Sequence, residues 1–295
     1  MRKPIVAGQF YSADKTNLDK EIESSFRHRL GPGMPKVPLK EKRIFGIIVP
    51  HAGYVYSGSC ASHAYKELAE LNKKSFPDTF ILLGPNHSGY GKAFFSLTFE
   101  DFETPLGIIK NHTELGTKIM EQTSHLGLQE DKQAHNYEHS LEVQLPFLQF
   151  VSKIAKKEIK IIPIIISTQE YSKLVAVGRK IGEICKEKNV CVIASSDFTH
   201  YGQNYGFIPF PASEAKTRLK DLDRKSINHI LKLESKAFYE EATKTTICGT
   251  GAIVVAIEAC KKMGSKKASL LKYYTSGDIA KNYSNAVGYA SFIFD

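Results

Sequence analysis

Two patterns of apolar residues alternate along this chain. Short runs rich in branched side chains, "RIFGIIVP" (43–50), "DTFILLGP" (78–85), "IKIIPIIIS" (159–167), "NVCVIASSD" (189–197), "LLKYYTSGD" (270–278) and "VGYASFIF" (287–294), predict strands. Several are continuous rather than alternating, the pattern of strands covered on both faces. Between them the spacing predicts helices over roughly 14–29, 57–72, 113–124, 139–156, 170–188, 213–243 and 250–263. Strand and helix taken in turn predict a three-layer α/β/α domain with a largely parallel or mixed sheet. Prolines and glycines forbid regular structure in "GPGMPKVPLK" (31–40), and "YGQNYGFIPFPAS" (201–213) reads as a second irregular stretch. Neither differs enough in composition to mark a domain linker.

Composition narrows the class. The 295 residues, 42% of them hydrophobic, suffice for one large core. The opening "MRKPIVAGQF" lacks the apolar run of a secretion signal, and no window approaches the roughly 18 apolar residues that cross a bilayer. A soluble cytoplasmic protein without a membrane partner is expected. Five cysteines, at 60, 185, 191, 248 and 260, form no CxxC pair and cannot all pair within one chain, which favours free thiols in a reducing compartment. The net charge of +9 comes from lysines in short groups such as Lys156-Lys157 and Lys266-Lys267, the pattern of solvated helix ends. With no tryptophan and no aromatic-basic interleaving, these argue against a nucleic-acid surface.

Candidate chemistry sits at strand ends. "IIVPHAG" delivers His51, "ILLGPNHSGYG" delivers His87, and "VIASSDFTHYG" delivers Asp197 and His200. In open α/β sheets ligands bind outside the carboxyl ends of the strands, so these residues can converge although distant in sequence. A lone histidine after a strand is more often structural; three such strand ends are harder to dismiss. In "TTICGTGAIVVAIEACKKMG" (245–264) Cys248 precedes an apolar helix. The helix dipole there is expected to lower its thiol pKa, giving a nucleophile or a soft metal ligand, unless Cys248 is simply a small buried residue. "AHNYEHSLEVQLPFLQF" (134–150) adds His135, Glu138, His139 and Glu142, with Asn136 or Ser140 as candidate helix caps. It lacks the second histidine of a zincin motif, so its histidine and carboxylate are candidates for metal support or proton relay.

"PHAGYVYSG" (50–58), "LLGPNHSGYG" (82–91), "NYEHSLEVQLPFL" (136–148), "SSDFTHYG" (195–202) and "TTICGTGA" (245–252), in this order, resemble the successive signatures of the Memo family, including its prokaryotic members in the AmmeMemoRadiSam gene group. The resemblance covers nearly the whole chain. It implies one domain over 1–295, similar in fold to the class III extradiol dioxygenases, which hold non-haem Fe(II) with two histidines and a glutamate. Carried onto this sequence it implies His51, His87 and Cys248 as metal ligands and Asp197 and His200 as catalytic groups lining the same pocket; beside them, Tyr54 and Tyr56 read as pocket walls, and Glu138 and His139 as further pocket residues. A thiolate in place of the carboxylate puts dioxygenation in doubt and shifts preference toward copper or Zn(II), with Fe(II) still compatible.

Three readings compete. The first is a metal-dependent redox or oxygenase-type enzyme acting on an unidentified small molecule, with His200, oriented by Asp197, moving protons. The second is a non-catalytic metal- or peptide-binding adaptor, since eukaryotic members of the family are mediators of cell motility. The third is a metal-free cysteine hydrolase or transferase pairing Cys248 with His51 or His200. Substrate and oligomeric state are not encoded in these motifs.

Overall fold

Each of the six predicted apolar runs contains a strand in the computed structural model, which describes residues 1–295 throughout. The strands are β1 Gly46–Val49, β2 Thr79–Pro85, β3 Phe95–Leu97, β4 Phe102–Thr104, β5 Gly107–Asn111, β6 Leu128–Glu130, β7 Lys160–Ile166, β8 Val190–Ser195, β9 His200–Gly202, β10 Ala268–Thr275 and β11 Asn285–Phe294. The helices are α1 Lys15–Arg27, α2 Tyr54–Ala69, α3 Thr113–Thr123, α4 Lys132–Asn136, α5 Leu145–Ala155, α6 Tyr171–Cys185, α7 Ala215–Leu231, α8 Ser235–Ala242, α9 Thr250–Met263 and α10 Ser276–Ala280. No helix is long and apolar enough to cross a membrane.

One mixed sheet runs in the order β10-β11-β1-β8-β2-β7-β3-β6. Its centre, β1-β8-β2-β7, is parallel, and β11 and β3 flank it antiparallel. Alternate residues of the central strands feed two cores. Ile48, Ile81, Leu83, Ile164 and Val192 meet residues of α3, α6, α7, α8 and α9, whereas Ile47, Val49, Phe80, Leu82 and Ile193 meet those of α1, α2 and α5. That is the three-layer α/β/α arrangement, with both faces covered as the continuous apolar runs require. Close packing of α6 on α9 depends on Gly178 and Gly182, where a Cβ would meet the Val255 and Ala259 carbonyl oxygens at 2.7 and 2.5 Å.

Departures from the sequence pattern have local causes. The predicted helix over 213–243 breaks after Leu231 because Leu233 takes φ +58°, turning its side chain into the core. The run 270–278 ends as a strand at Thr275, which caps α10 in a reciprocal pair with Asp278. The helix expected from 139 begins only at Leu145, after a 3-10 turn over Glu142–Gln144, and neither Asn136 nor Ser140 caps it. The strands β3, β4, β5, β6 and β9 are three to five residues long, too short to carry a legible alternation.

The N-terminal arm is fastened to this frame by a buried ion pair. Arg2 pairs with Glu142, and its guanidinium also donates to the Glu138 carbonyl (2.6 Å) and the His135 carbonyl (3.2 Å). Glu142 further accepts the Ile5 and Val6 N–H groups and the Tyr11 hydroxyl. Arg2→Ala strands a buried carboxylate, and a loss of about 3–5 kcal/mol is expected from urea denaturation. Arg2→Lys keeps the charge without the planar fork and should recover only part of that loss.

Candidate functional site

The register of the parallel strands brings the predicted residues together. Val49 lies opposite Ser195, and Leu83 opposite Ala194, so β1, β2 and β8 reach the same edge of the sheet within two residues. Beyond that edge opens a pocket of about 530 Å³, lined by His51, His87, His139, Asp197 and His200 together with Phe10, Tyr56, Tyr205, Tyr289 and others. The ligand atoms offered by His51, His87 and His139 all lie within 4.8 Å of one another.

Hydrogen bonding settles the state of each ring. Ser195 Oγ donates its one hydrogen to the Ser140 carbonyl (2.6 Å) and accepts from the Gln144 amide (2.8 Å). The third partner, His51 Nδ1 at 2.9 Å, therefore carries the proton, leaving the Nε2 lone pair free. His87 Nδ1 lies 3.0 Å from the Glu138 carboxylate and His200 Nδ1 lies 3.0 Å from the Thr246 carbonyl. Both acceptors lack a proton to give, so in both rings Nδ1–H is the donor and Nε2 is the open nitrogen.

Burial disfavours the charged form of two of the pocket's imidazoles. Burial, followed by the charges of His87, His139 and His200, holds His51 well below the usual histidine range, and burial also lowers His139. Burial by itself would raise Glu138, yet the hydrogen bond and charge of His87, the charge of His139 and the Ser140 N–H bring it down to about 2. Asp197 accepts the His51 N–H (2.9 Å), and burial raises its carboxyl.

Cys248 stands one residue before the Gly249 cap of α9, and its Sγ lies 3.3 Å from His51 Nε2 and 3.3 Å from the Asp197 nitrogen. Gly249 is required by a close approach: a Cβ there would meet Ser196 Cβ at 2.4 Å. The expected lowering of the thiol pKa is not found. Burial, reinforced by the Asp197 charge, raises it, and the Gly249 N–H that would face a thiolate is bonded to Ser196 Oγ (3.0 Å).

The structure thus gathers His51, His87, His139, Asp197 and His200 around the pocket, whereas Cys248 touches His51 and Asp197 but neither lines the pocket nor joins the converging group of His51, His87 and His139. Tyr54 and Glu138 lie behind the pocket wall rather than on it. Tyr54 is buried with its hydroxyl on the Val143 carbonyl (2.7 Å), and Glu138 is buried against the His87 loop. Tyr56, two residues on, does line the pocket. His200 is oriented by Thr246, whose hydroxyl accepts its N–H and donates to its carbonyl, and not by Asp197. Sequence reasoning missed Ser195, Gln144 and Thr246, whose only signal is being polar within apolar runs. It also missed Asp223, a fully buried carboxylate on α7 that accepts from the Thr199 N–H and hydroxyl and from the Tyr273 hydroxyl (2.7 Å).

Comparison with known proteins agrees with this architecture. The family model described as Memo-like protein matches residues 2–293. A MEMO1 family protein of Nitrosopumilus maritimus is 38% identical over 296 residues, covering 100% of this chain and 99% of the relative. Its counterpart in Methanopyrus kandleri is 39% identical over 298 residues, covering 99% and 98%. The crystal structure of an uncharacterized protein, JW3007, from Escherichia coli K12 superposes with a TM-score of 0.55 at 12% identity, covering 86% of this chain and 100% of that one, a likeness of fold alone.

Asp223 offers a check on the His200 side of the pocket. Burial raises its carboxyl from an ordinary 3.8 to about 6. The native state therefore holds this proton more tightly than the unfolded chain, so its contribution is fully present below pH 4 and is lost as pH rises through 6. Urea melts from pH 4 to 7 should show wild type losing roughly 2–3 kcal/mol relative to Asp223→Asn across that window.

Proposed function

The chain belongs to the Memo family, and from that premise we propose that it is a metal-dependent enzyme of redox or oxygenase type, acting as one domain over 1–295 on a small molecule held in the histidine pocket. The observation that carries this reading is the convergence of His51, His87 and His139, two of them with Nδ1 fixed as donor and Nε2 left open. Imidazole nitrogens from three separate segments presented to one cavity, with His51 buried, are what would receive a cation.

We assign His51, His87 and Cys248 as the ligands. The donor set fits a transition metal. A separation of 3.3 Å between His51 Nε2 and Cys248 Sγ is the edge that bonds of about 2.0–2.1 and 2.3 Å to one ion leave at angles near 90–110°. Two imidazoles and a thiolate suit copper, Zn(II) and Fe(II), and the proposal favours iron or copper. Glu138 behind His87 is the carboxylate that fixes ring orientation and raises ligand basicity in such sites. When bound, the ion supplies Lewis acidity and, for iron or copper, one-electron chemistry.

The remaining groups belong to the chain's own chemistry. His200 takes a proton at Nε2 while Thr246 holds Nδ1–H, which makes it the base beside the substrate. His139, ring-stacked on His87 at 4.9 Å, and Phe10, at 4.8 Å from His139, form an aromatic wall that orients a planar substrate and excludes water. A pocket kept for binding alone would have no use for a separately anchored imidazole.

Metal analysis after anaerobic purification tests the reading. Wild type should retain close to one ion per chain. His51→Ala, His87→Ala and Cys248→Ser should lose it, and Glu138→Gln should weaken retention by about 10–100-fold. His200→Gln should keep the metal and lose turnover. Full retention in all three ligand variants sinks the proposal, and loss in His139→Gln but not Cys248→Ser transfers the third ligand to His139.

A further inference from the structure

The short helix α10 is a wall between two cavities. Ser276 and Ala280 face the histidine pocket, whereas Thr275, Asp278 and the following Lys281 line a second cleft of about 450 Å³. Its other walls come from the end of α1, from α7 and from β10. Five cations enter it from four segments: Arg29, Lys216, Lys220, Lys272 and Lys281.

None of the five is ion-paired with a carboxylate. Some lysines elsewhere are paired, as Lys40 and Lys42 are with Glu67 and Lys153 with Asp19, and others such as Lys15 and Lys92 are not; what sets these five apart is that they converge on one concavity. The cleft's single carboxylate, Asp278, is occupied by the Thr275 N–H (2.9 Å) and hydroxyl (3.0 Å) and by the Tyr283 hydroxyl (2.8 Å). Lys216 and Lys220 stand four residues apart on α7, a like-charge spacing that weakens a helix. Five like charges from separate elements, facing a single carboxylate around one concavity, leave a net positive potential there.

We propose that this cleft is a binding site for a small polyanion, a molecule carrying two or more phosphate charges, separate from the histidine pocket. A cavity of this size, closed by converging segments, suits a compact ligand. A polymer would call for a basic stripe along the surface, and a bilayer for a convex face with apolar residues at its tip.

Isothermal titration of the full-length protein with inorganic pyrophosphate at low ionic strength tests this. Saturable binding near one per chain is expected, weakening as salt is raised. Lys216→Gln with Lys220→Gln, and separately Lys272→Gln, should each weaken it by about tenfold or more. His87→Ala should leave it unchanged, which separates this site from the metal site. Lys216 and Lys220 are exposed, so an unaltered thermal midpoint should accompany their loss of binding. Absence of saturable heat at millimolar pyrophosphate overturns the proposal, as does binding indifferent to these substitutions. Capture of phosphatidic acid vesicles or of a short single-stranded RNA that pyrophosphate cannot displace and the lysine variants abolish would also overturn it, by assigning the basic face to a surface or a polymer.

Discussion

A buried carboxylate with no lysine or arginine beside it must be met by N–H donors, and at Glu138 those donors come from the loop after β2. The His87 N–H and Nδ1–H, the Ser88 N–H and the Ser140 N–H all point at its two oxygens. Removing any of them leaves a desolvated charge short of a partner, so the loop has one favourable arrangement, and in it His87 Nε2 faces the pocket. The neighbouring residues work alike. Ser140 holds the Pro85 carbonyl, Glu142 holds the N-terminal arm, and Gln144 bridges the Pro50 carbonyl and Ser195. Three residues of this stretch, Glu138, Ser140 and Gln144, thus fasten the ends of β1, β2 and β8 to one another. Their polar groups are committed to this bracing, and the α-helix begins only at Leu145.

The same desolvation decides the chemistry of Cys248. The start of a helix favours a thiolate by about 0.3–1 kcal/mol, up to roughly 2 in a partly buried position. Moving a thiolate out of water beside a carboxylate costs several kcal/mol, and burial wins. A thiol held neutral in this way is a poor nucleophile, which weighs against a metal-free cysteine hydrolase. A cation placed between His51 Nε2 and Cys248 Sγ reverses the balance, because coordination removes the thiol proton outright.

Much of this was legible in the chain. Continuous apolar runs such as "ILLGP" and "VIASS" give central parallel strands because only strands buried on both faces tolerate them, and a polar residue directly after such a run must lie at the sheet edge. His51, His87, Asp197 and His200 follow from that rule alone. Cys248 and His139 were candidates from their own segments, and the resemblance of five separated motifs placed Cys248 with His51 and His87 as a ligand set. What stayed hidden is partnership between side chains distant in sequence. Nothing in "EVQ" reveals that Gln144 fixes the tautomer of His51 through Ser195, and nothing in "KDLDRK" marks Asp223 as buried among its exposed neighbours. Tyr54 was misplaced for a related reason. Two residues, about 200° of helical rotation, separate it from Tyr56, and only the direction of α2 against the sheet decides which of the two reaches the pocket.

Two independent hydrogen-bond systems therefore support the pocket. Glu138, Ser140, Gln144 and Ser195 fix His51 and His87 from the α5 side of the sheet. His200 is held from the other side, by Thr246 before α9 and by its neighbour Thr199, which Asp223 anchors to Tyr273. Neither set shares a donor or acceptor with the other, and the residue that adjoins both is Asp197, through the His51 N–H. Such a division suits a site in which one group of imidazoles must stay rigid to hold an ion while another gains and loses a proton. Charging His200 during a reaction would then disturb the lone pairs of His51 and His87 only through space, across the pocket, and not through the bonds that orient them. Tyr273, which ends the second system, also lines the basic cleft, so that cleft adjoins the pocket on the His200 side rather than on the side of His51 and His87.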